Sequence, residues 1–249
     1  MDIKLNENEH IEYLSAEVGV VVSPSHTFGT DALLLASFAA PKKSDIICDL
    51  GTGCGIIPFL FFRDGFNSIT GVEIQPDACE QAQRSVIMNG AGDKVKIIND
   101  DLKNLPLTGY NGEFSLVTMN PPYKKANAGI RSRSVSDRIA RHETMCTVDD
   151  IASCCSKILK YGGRLCMCGR PERLYETMKV LGEYNIEPKR LRMVQKRMQT
   201  PPWLFLLEGR LGGNSGLTVL PPLYIESEEG SDSPELLEIL GKYREETAL

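Results

Sequence analysis

The chain has 249 residues, 42% of them hydrophobic and 24% charged, which supplies ample apolar material for a folded core. Its formal net charge of −5 and pI of about 5.4 exclude a surface suited all over to polyanions, though a local basic patch remains open. No apolar run approaches the ~20 residues of a membrane span, and the charged start Met1-Asp2-Ile3-Lys4-Leu5-Asn6-Glu7 lacks a secretory apolar core. The eight cysteines form no CxxC pair, so no metal is expected, and they fit a reduced, cytoplasmic protein.

Residues 1–27 read as an N-terminal extension in which only Gly19-Val20-Val21-Val22 has the pattern of a strand. A helix should begin at Thr30, with Thr30 as its N-cap and Asp31 in its first turn, and end before Pro41. Strands then alternate with helices. Ile46-Ile47-Cys48-Asp49-Leu50 is a strand, 54–64 a helix, and Ile69-Thr70-Gly71-Val72-Glu73-Ile74 a strand. A helix opens at Pro76 and closes near Gly90, followed by strands over 95–98 and 114–119. Next come a helix over 148–160, stopped by Gly162-Gly163, and a strand over 164–168. A helix from 172 to about 183 precedes the last two strands, near 189–195 and 203–208. Alternation of this kind predicts an α/β fold with a mostly parallel sheet covered on both faces. The segment between the last two strands is too short for a crossover helix, so those strands should be antiparallel neighbours. Residues 28–225 form the main domain, and 226–249 an acidic linker with a final helix.

Three features cluster at predicted strand ends. Asp49-Leu50-Gly51-Thr52-Gly53-Cys54-Gly55 is a glycine loop, but its third glycine comes one position early for a dinucleotide fingerprint. Asp49 beside the loop would repel a pyrophosphate and attract a cation. Glu73 ends the next strand, where a carboxylate can accept hydrogen bonds from both hydroxyls of a ribose. Asp101 follows the third strand, and helix capping is an equally good reading of it. On the same edge the fourth strand runs into Asn120-Pro121-Pro122-Tyr123, a stiff loop that cannot continue a strand. Beyond it, Lys124, Lys125, Arg131, Arg133, Arg138 and Arg141 face one acid, Asp137, as a candidate RNA-binding loop. Lys189, Arg190, Arg192, Lys196 and Arg197 form a second basic run. A solvated face is the bland reading of both, and His142 reads more simply as a surface histidine than as a proton acceptor.

Together, Asp49-Leu-Gly-Thr-Gly-Cys-Gly, Glu73, Asp101 and Asn120-Pro-Pro-Tyr123 resemble the Rossmann-like, class I S-adenosylmethionine-dependent methyltransferases that modify planar amino groups. The Phe28-Gly29-Thr30-Asp31-Ala32-Leu33-Leu34-Leu35 block and the tail through Pro221-Pro222-Leu223-Tyr224-Ile225 are similar to a narrower group, bacterial enzymes that methylate N6 of the adenine next to the anticodon of a valine tRNA. The resemblance implies a seven-stranded sheet with an antiparallel last strand and S-adenosyl-L-methionine as cofactor. Thr30, Asp49, Gly51, Gly53, Gly55, Glu73, Asp101 and Asn120 would hold that cofactor. Asn120 and Pro121 would grip the amino group, Pro122 would stiffen the loop, and Tyr123 would stack on the base. A tRNA substrate follows from the same resemblance, and a monomer is expected. The alternatives are methylation of a protein glutamine amide, of guanine N2 in rRNA or of DNA adenine, and, from other classes, a nucleotide-dependent oxidoreductase or a non-catalytic binding module. Glutamine-modifying enzymes carry a helical domain before the glycine loop, which the 48 residues before Asp49 do not resemble.

Overall fold

The computed structural model describes residues 3–121 and 146–244. Seven strands make the central sheet: β3 (Ile47–Leu50), β4 (Ile69–Glu73), β5 (Val95–Asn99), β6 (Phe114–Met119), β7 (Leu159–Gly169), β8 (Ile186–Gln195) and β9 (Pro202–Leu211). Their order is β8-β9-β7-β6-β3-β4-β5, with β9 antiparallel to both neighbours and the other pairings parallel. The count and the antiparallel last strand match the expectation. Two two-residue strands, β10 (Thr218–Val219) and β11 (Leu223–Tyr224), extend the β8 edge in parallel.

Both faces of the sheet are covered because its strands are apolar on both sides; all six residues of β6 are buried. On one face lie α1 (Thr30–Ala39), α2 (Ile56–Arg63) and α3 (Pro76–Met88), with Leu34, Leu35, Phe59 and Cys79 in a common core. On the other lie α4 (Val148–Ile158) and α5 (Leu174–Glu183), packing Ile151, Cys155, Ile158 and Leu181 against Phe114, Met167 and Leu207. The last helix, α6 (Pro234–Arg244), sets Leu236 and Ile239 against the α1 face.

Three local expectations need correcting. Thr30 is the first residue of α1, not its cap: Gly29 holds the N-cap position in extended conformation, without a side-chain cap bond. Gly162-Gly163 does not stop a helix. α4 ends at Ile158 and β7 starts at once, with both glycines inside it. A Cβ on Gly163 would lie 2.8 Å from the Lys160 carbonyl oxygen and 3.1 Å from that of Phe114, so glycine allows the backbones to close at an irregular register. The N-terminal segment also holds more structure than its pattern suggested: β1 (His10–Tyr13) pairs antiparallel with β2 (Gly19–Val22). Polar side chains of α3 and of its C-cap residue Asn89 bind this hairpin as a partner strand would. Ser85 Oγ accepts from Val21 N (2.9 Å), Gln81 Nε2 donates to the Val21 carbonyl (2.9 Å), and Asn89 bonds both backbone groups of Gly19.

Candidate active site

The carboxyl ends of β3, β4, β5, β6 and β7 lie along one edge of the sheet, where open α/β sheets receive ligands. A cavity of about 280 Å³ opens there. Its walls are Thr27, Gly29 and Asp31 at the start of α1, Asp49 and the glycine loop after β3, and Asn120 and Pro121 after β6. A larger cleft of about 520 Å³ lies between α1, α2 and α6 with no strand-end residue on its wall, which leaves the smaller cavity as the site of chemistry.

Asp49 is 2% exposed, and its Oδ1 accepts a 2.6 Å hydrogen bond from Thr118 Oγ1. Burial raises its pKa to about 7, and the nearby Glu73 charge adds to the rise. A cation in the cavity would repay the cost of ionising it. Asp31 supplies a second carboxyl on the same wall, a residue that sequence reasoning placed only as a helix-start acid. The Thr52 hydroxyl is buried beside these groups and makes no hydrogen bond of good geometry. Gly53 is in the left-handed region (φ 57°), and a Cβ there would meet nothing within 4 Å, so its open side is room for a ligand. Gly55 serves packing instead: its Cβ would press on Phe59 and Ala82 at 3.2–3.3 Å. Two carboxyls, an unsatisfied hydroxyl and an open glycine fit the amino-acid end of S-adenosylmethionine.

Glu73 braces the loop. Its Oε2 accepts from Gly53 N and its Oε1 from Gln75 N, both at 2.8 Å, and each oxygen keeps a lone pair for a further donor. Asp101 caps the 3-10 helix Leu102–Leu107, its Oδ1 accepting from Lys103 N at 3.0 Å. It stands after β5, off the cavity wall, as does the exposed Thr30. Asn120 is fixed from the side: the Cys168 thiol, on β7, donates to its Oδ1 at 3.1 Å. Sequence reasoning missed this contact, which follows only from the β6–β7 register that sets Met119 opposite Met167. Cys54 also lines the cavity, but burial pushes its thiol up to about 12, too high for a thiolate nucleophile. The described walls offer anchoring groups and carbonyl acceptors, which suits direct transfer to a bound acceptor.

The expected residues Pro122, Tyr123, Lys124, Lys125, Arg131, Arg133, Arg138, Arg141 and His142 lie outside the described residues. The second basic run does not form a free patch. Arg190 bonds Glu208, Arg192 makes a two-pronged pair with Glu235, and Lys196 and Arg197 both face Glu226. Lys189 donates to the Asn214 carbonyl. These cations are spent largely on holding the chain's own acidic segments. Among the described residues no group of three or more metal-ligating side chains occurs, and no helix is long and apolar enough to cross a membrane.

A model of the methyltransferase small domain matches residues 14–187, well over half of the chain. The chain belongs to the methyltransferase small domain family. This methyltransferase is similar to curated proteins named tRNA1(Val) (adenine(37)-N6)-methyltransferase. One, from Parabacteroides distasonis, is 24% identical over 72% of this chain and 75% of its own. A second, from Yersinia pseudotuberculosis, is 24% identical over 86% and 84%. A third, from a Flavobacteriaceae bacterium, is 28% identical over 66% and 74%. Among solved structures, a protein described as a predicted O-methyltransferase from Agrobacterium tumefaciens superposes with a TM-score of 0.66 at 21% identity, covering 86% of this chain and 96% of that one. A geranyl diphosphate C-methyltransferase from Streptomyces coelicolor gives 0.55 at 12% identity, over 73% and 77%. These likenesses give the class I methyltransferase fold. Since their acceptor atoms are oxygen and carbon, the acceptor here has to be argued from the site.

Proposed function

We propose that this methyltransferase carries a methyl group from S-adenosyl-L-methionine to the exocyclic N6 of an adenine in tRNA, next to the anticodon. The observation that carries this reading is a shared wall: Asn120 and Pro121 close the same cavity as Asp31, Asp49 and the glycine loop. An amino-group grip thus adjoins a cradle for an amino-acid ammonium. The names of the curated relatives, matched over most of both chains, support adenine as the acceptor. The basic residues from Lys124 to Arg141 support an RNA partner.

S-adenosylmethionine supplies a methyl group already activated on a positive sulfur. Asp49 and Asp31 hold its ammonium, Gly51, Gly53 and Gly55 let the backbone come close, and Glu73 accepts the ribose hydroxyls. Asp101 takes the adenine amino group, and the segment about Thr30 closes the methionine side. The acceptor is a poor nucleophile because its lone pair is delocalised into the ring. Asn120 Oδ1 and the Pro121 carbonyl accept its two N–H bonds and face the nitrogen with negative charge as it turns positive. Such preorganised electrostatic stabilisation needs no strong base: as the N–C bond forms and the sulfonium's C–S bond breaks, S-adenosylhomocysteine would leave and the methylated nitrogen would shed its extra proton to water. Cys168 keeps the Asn120 amide in that orientation. Tyr123 stacks on the base, which has to leave its neighbours to be reached, Pro122 keeps the loop stiff, and Lys124, Lys125, Arg131, Arg133, Arg138 and Arg141 hold the phosphate backbone.

The test is incubation of the protein with labelled S-adenosylmethionine and, separately, total tRNA and a release factor, followed by nucleoside and amino-acid mass spectrometry. N6-methyladenosine in tRNA is expected. Label in a glutamine side chain, in guanine, or in no nucleoside would overturn the reading.

A further inference from the structure

Two polar side chains on the buried face of α3 act differently on the N-terminal hairpin. Ser85 Oγ accepts from Val21 N, inside β2, at 2.9 Å. Gln81 Nε2 donates twice, to the Val21 carbonyl and, past the end of β2, to the His26 carbonyl, each at 2.9 Å. Gln81 is 2% exposed, so water cannot replace either bond if the amide is removed.

The second bond reaches the approach to the cofactor cavity. His26 closes a tight turn: its N–H meets the Ser23 carbonyl (3.2 Å) and Oγ (3.1 Å), and its carbonyl accepts from Ser23 N (3.1 Å). The chain leaves that turn directly into the cavity wall, through Thr27, Phe28 and Gly29 to Asp31. A Cβ on Gly29 would lie 2.8 Å from Asp31 Oδ1, so the carboxyl folds back over the segment that Gln81 holds. The same Oδ1 accepts from Ala32 N at 3.1 Å. The place of the Asp31 carboxyl is therefore set by α1 on one side and by the His26 turn on the other.

Helix α3 also touches the rest of the site. Its N-cap residue Gln75 donates its N–H to Glu73 Oε1 at 2.8 Å, and Ala82 packs beneath Gly55 of the glycine loop. Gln81 thus ties the segment bearing Asp31 to the helix that already braces Glu73 and the loop. We propose that Gln81 is a positioning residue for S-adenosylmethionine: its bond to the His26 carbonyl fixes residues 27–31 and so sets Asp31 opposite Asp49 across the ammonium. The proposal rests on those two acids being the ammonium's partners. With residues 27–31 held in place beforehand, the cofactor does not have to order them on binding.

The test is a double-mutant cycle on the full-length protein, read by calorimetry of S-adenosylhomocysteine beside thermal melts. Gln81→Met keeps the reach of the side chain and removes both donors. It should weaken S-adenosylhomocysteine roughly tenfold, and in an Asp31→Asn background less than about threefold, because the carboxyl it positions is gone. Ser85→Ala loosens the same hairpin at Val21 and should lower the melting temperature with affinity unchanged. If Gln81→Met melts below the assay temperature, Gln81→Asn, one methylene too short to reach both carbonyls, should give the same pattern. Wild-type affinity in the Gln81 variants, or an equal loss in both backgrounds, would overturn the positioning role and leave Asp31 its part. A matching loss of affinity in Ser85→Ala would do the same. If Asp31→Asn alone binds as wild type does, the ammonium reading of Asp31 fails and the role of Gln81 falls with it.

Discussion

At pH 7 the Asp49 carboxyl sits near the middle of its titration, because burial raises its pKa from 3.8 to about 7. A buried acid of this kind stabilises the fold below its unfolded pKa, and the contribution is lost as pH rises through the folded one. Asp49→Asn should therefore make the ligand-free protein more stable than wild type at pH 8, with the gap closing toward pH 4; thermal melts across that range read it. A cationic ligand reverses the balance by favouring the charged form. Affinity for S-adenosylhomocysteine should rise about tenfold per pH unit up to about 7 and then level off. Calorimetry giving a flat profile from pH 5.5 to 8 would remove Asp49 as the ammonium's partner. For Asn120→Ala, turnover should fall by about 10²–10³ with cofactor-analogue affinity nearly unchanged. A variant that retains activity would refute the amino-group grip. The positions of Asp49 and Glu73 at the carboxyl edge were legible in sequence because each stands at the end of an apolar strand. Asp31 was not, since an acid at a helix start already has a sufficient reason in the helix dipole.

At the scale of elements, the end of α1 is held by a buried charge cluster. Glu208 on β9 is 4% exposed, and its Oε2 bonds Arg164 (3.3 Å) and Arg190 (2.7 Å). Those arginines donate onward to the last carbonyls of α1, Arg164 to Ala39 and Arg190 to Phe38, at 2.9 and 3.0 Å. Removing the shared acid would leave Arg190 without its carboxylate and Arg164 with Asp45 alone, at 3.1 Å. Glu208→Gln should cost about 3 kcal/mol in urea unfolding, far above a surface pair. Ala40 follows in a left-handed conformation (φ 39°), so Ala40→Gly should stabilise by about 0.5–1 kcal/mol in the same assay. From sequence, Arg190 belonged to a basic run and Glu208 to the end of a strand. Only the antiparallel β8–β9 register, which pairs the two residues directly, brings them together.

For the whole molecule, periodicity was enough to place the seven strands and their helices, because buried parallel strands are continuous apolar runs. It missed β1, whose His10-Ile11-Glu12-Tyr13 pattern is half polar and whose partner β2 is itself held by the side chain of Ser85, 64 residues beyond Val21. Glu9 ties that hairpin down through Arg84, which holds its pKa at about 2. The tie is whole above the unfolded value of 4.5 and fades as pH falls toward 2. The cysteines give this architecture a different use. Seven of the eight are buried, and the eighth, Cys146, has its thiol pushed up to about 12. The thiolate is the nucleophile that attacks thiol reagents, so the native chain should resist them at pH 8. Cys48, Cys166 and Cys168 lie in β3 and β7, at the centre of the sheet. Their labelling rate makes the protein its own stopwatch, started only when the sheet comes apart.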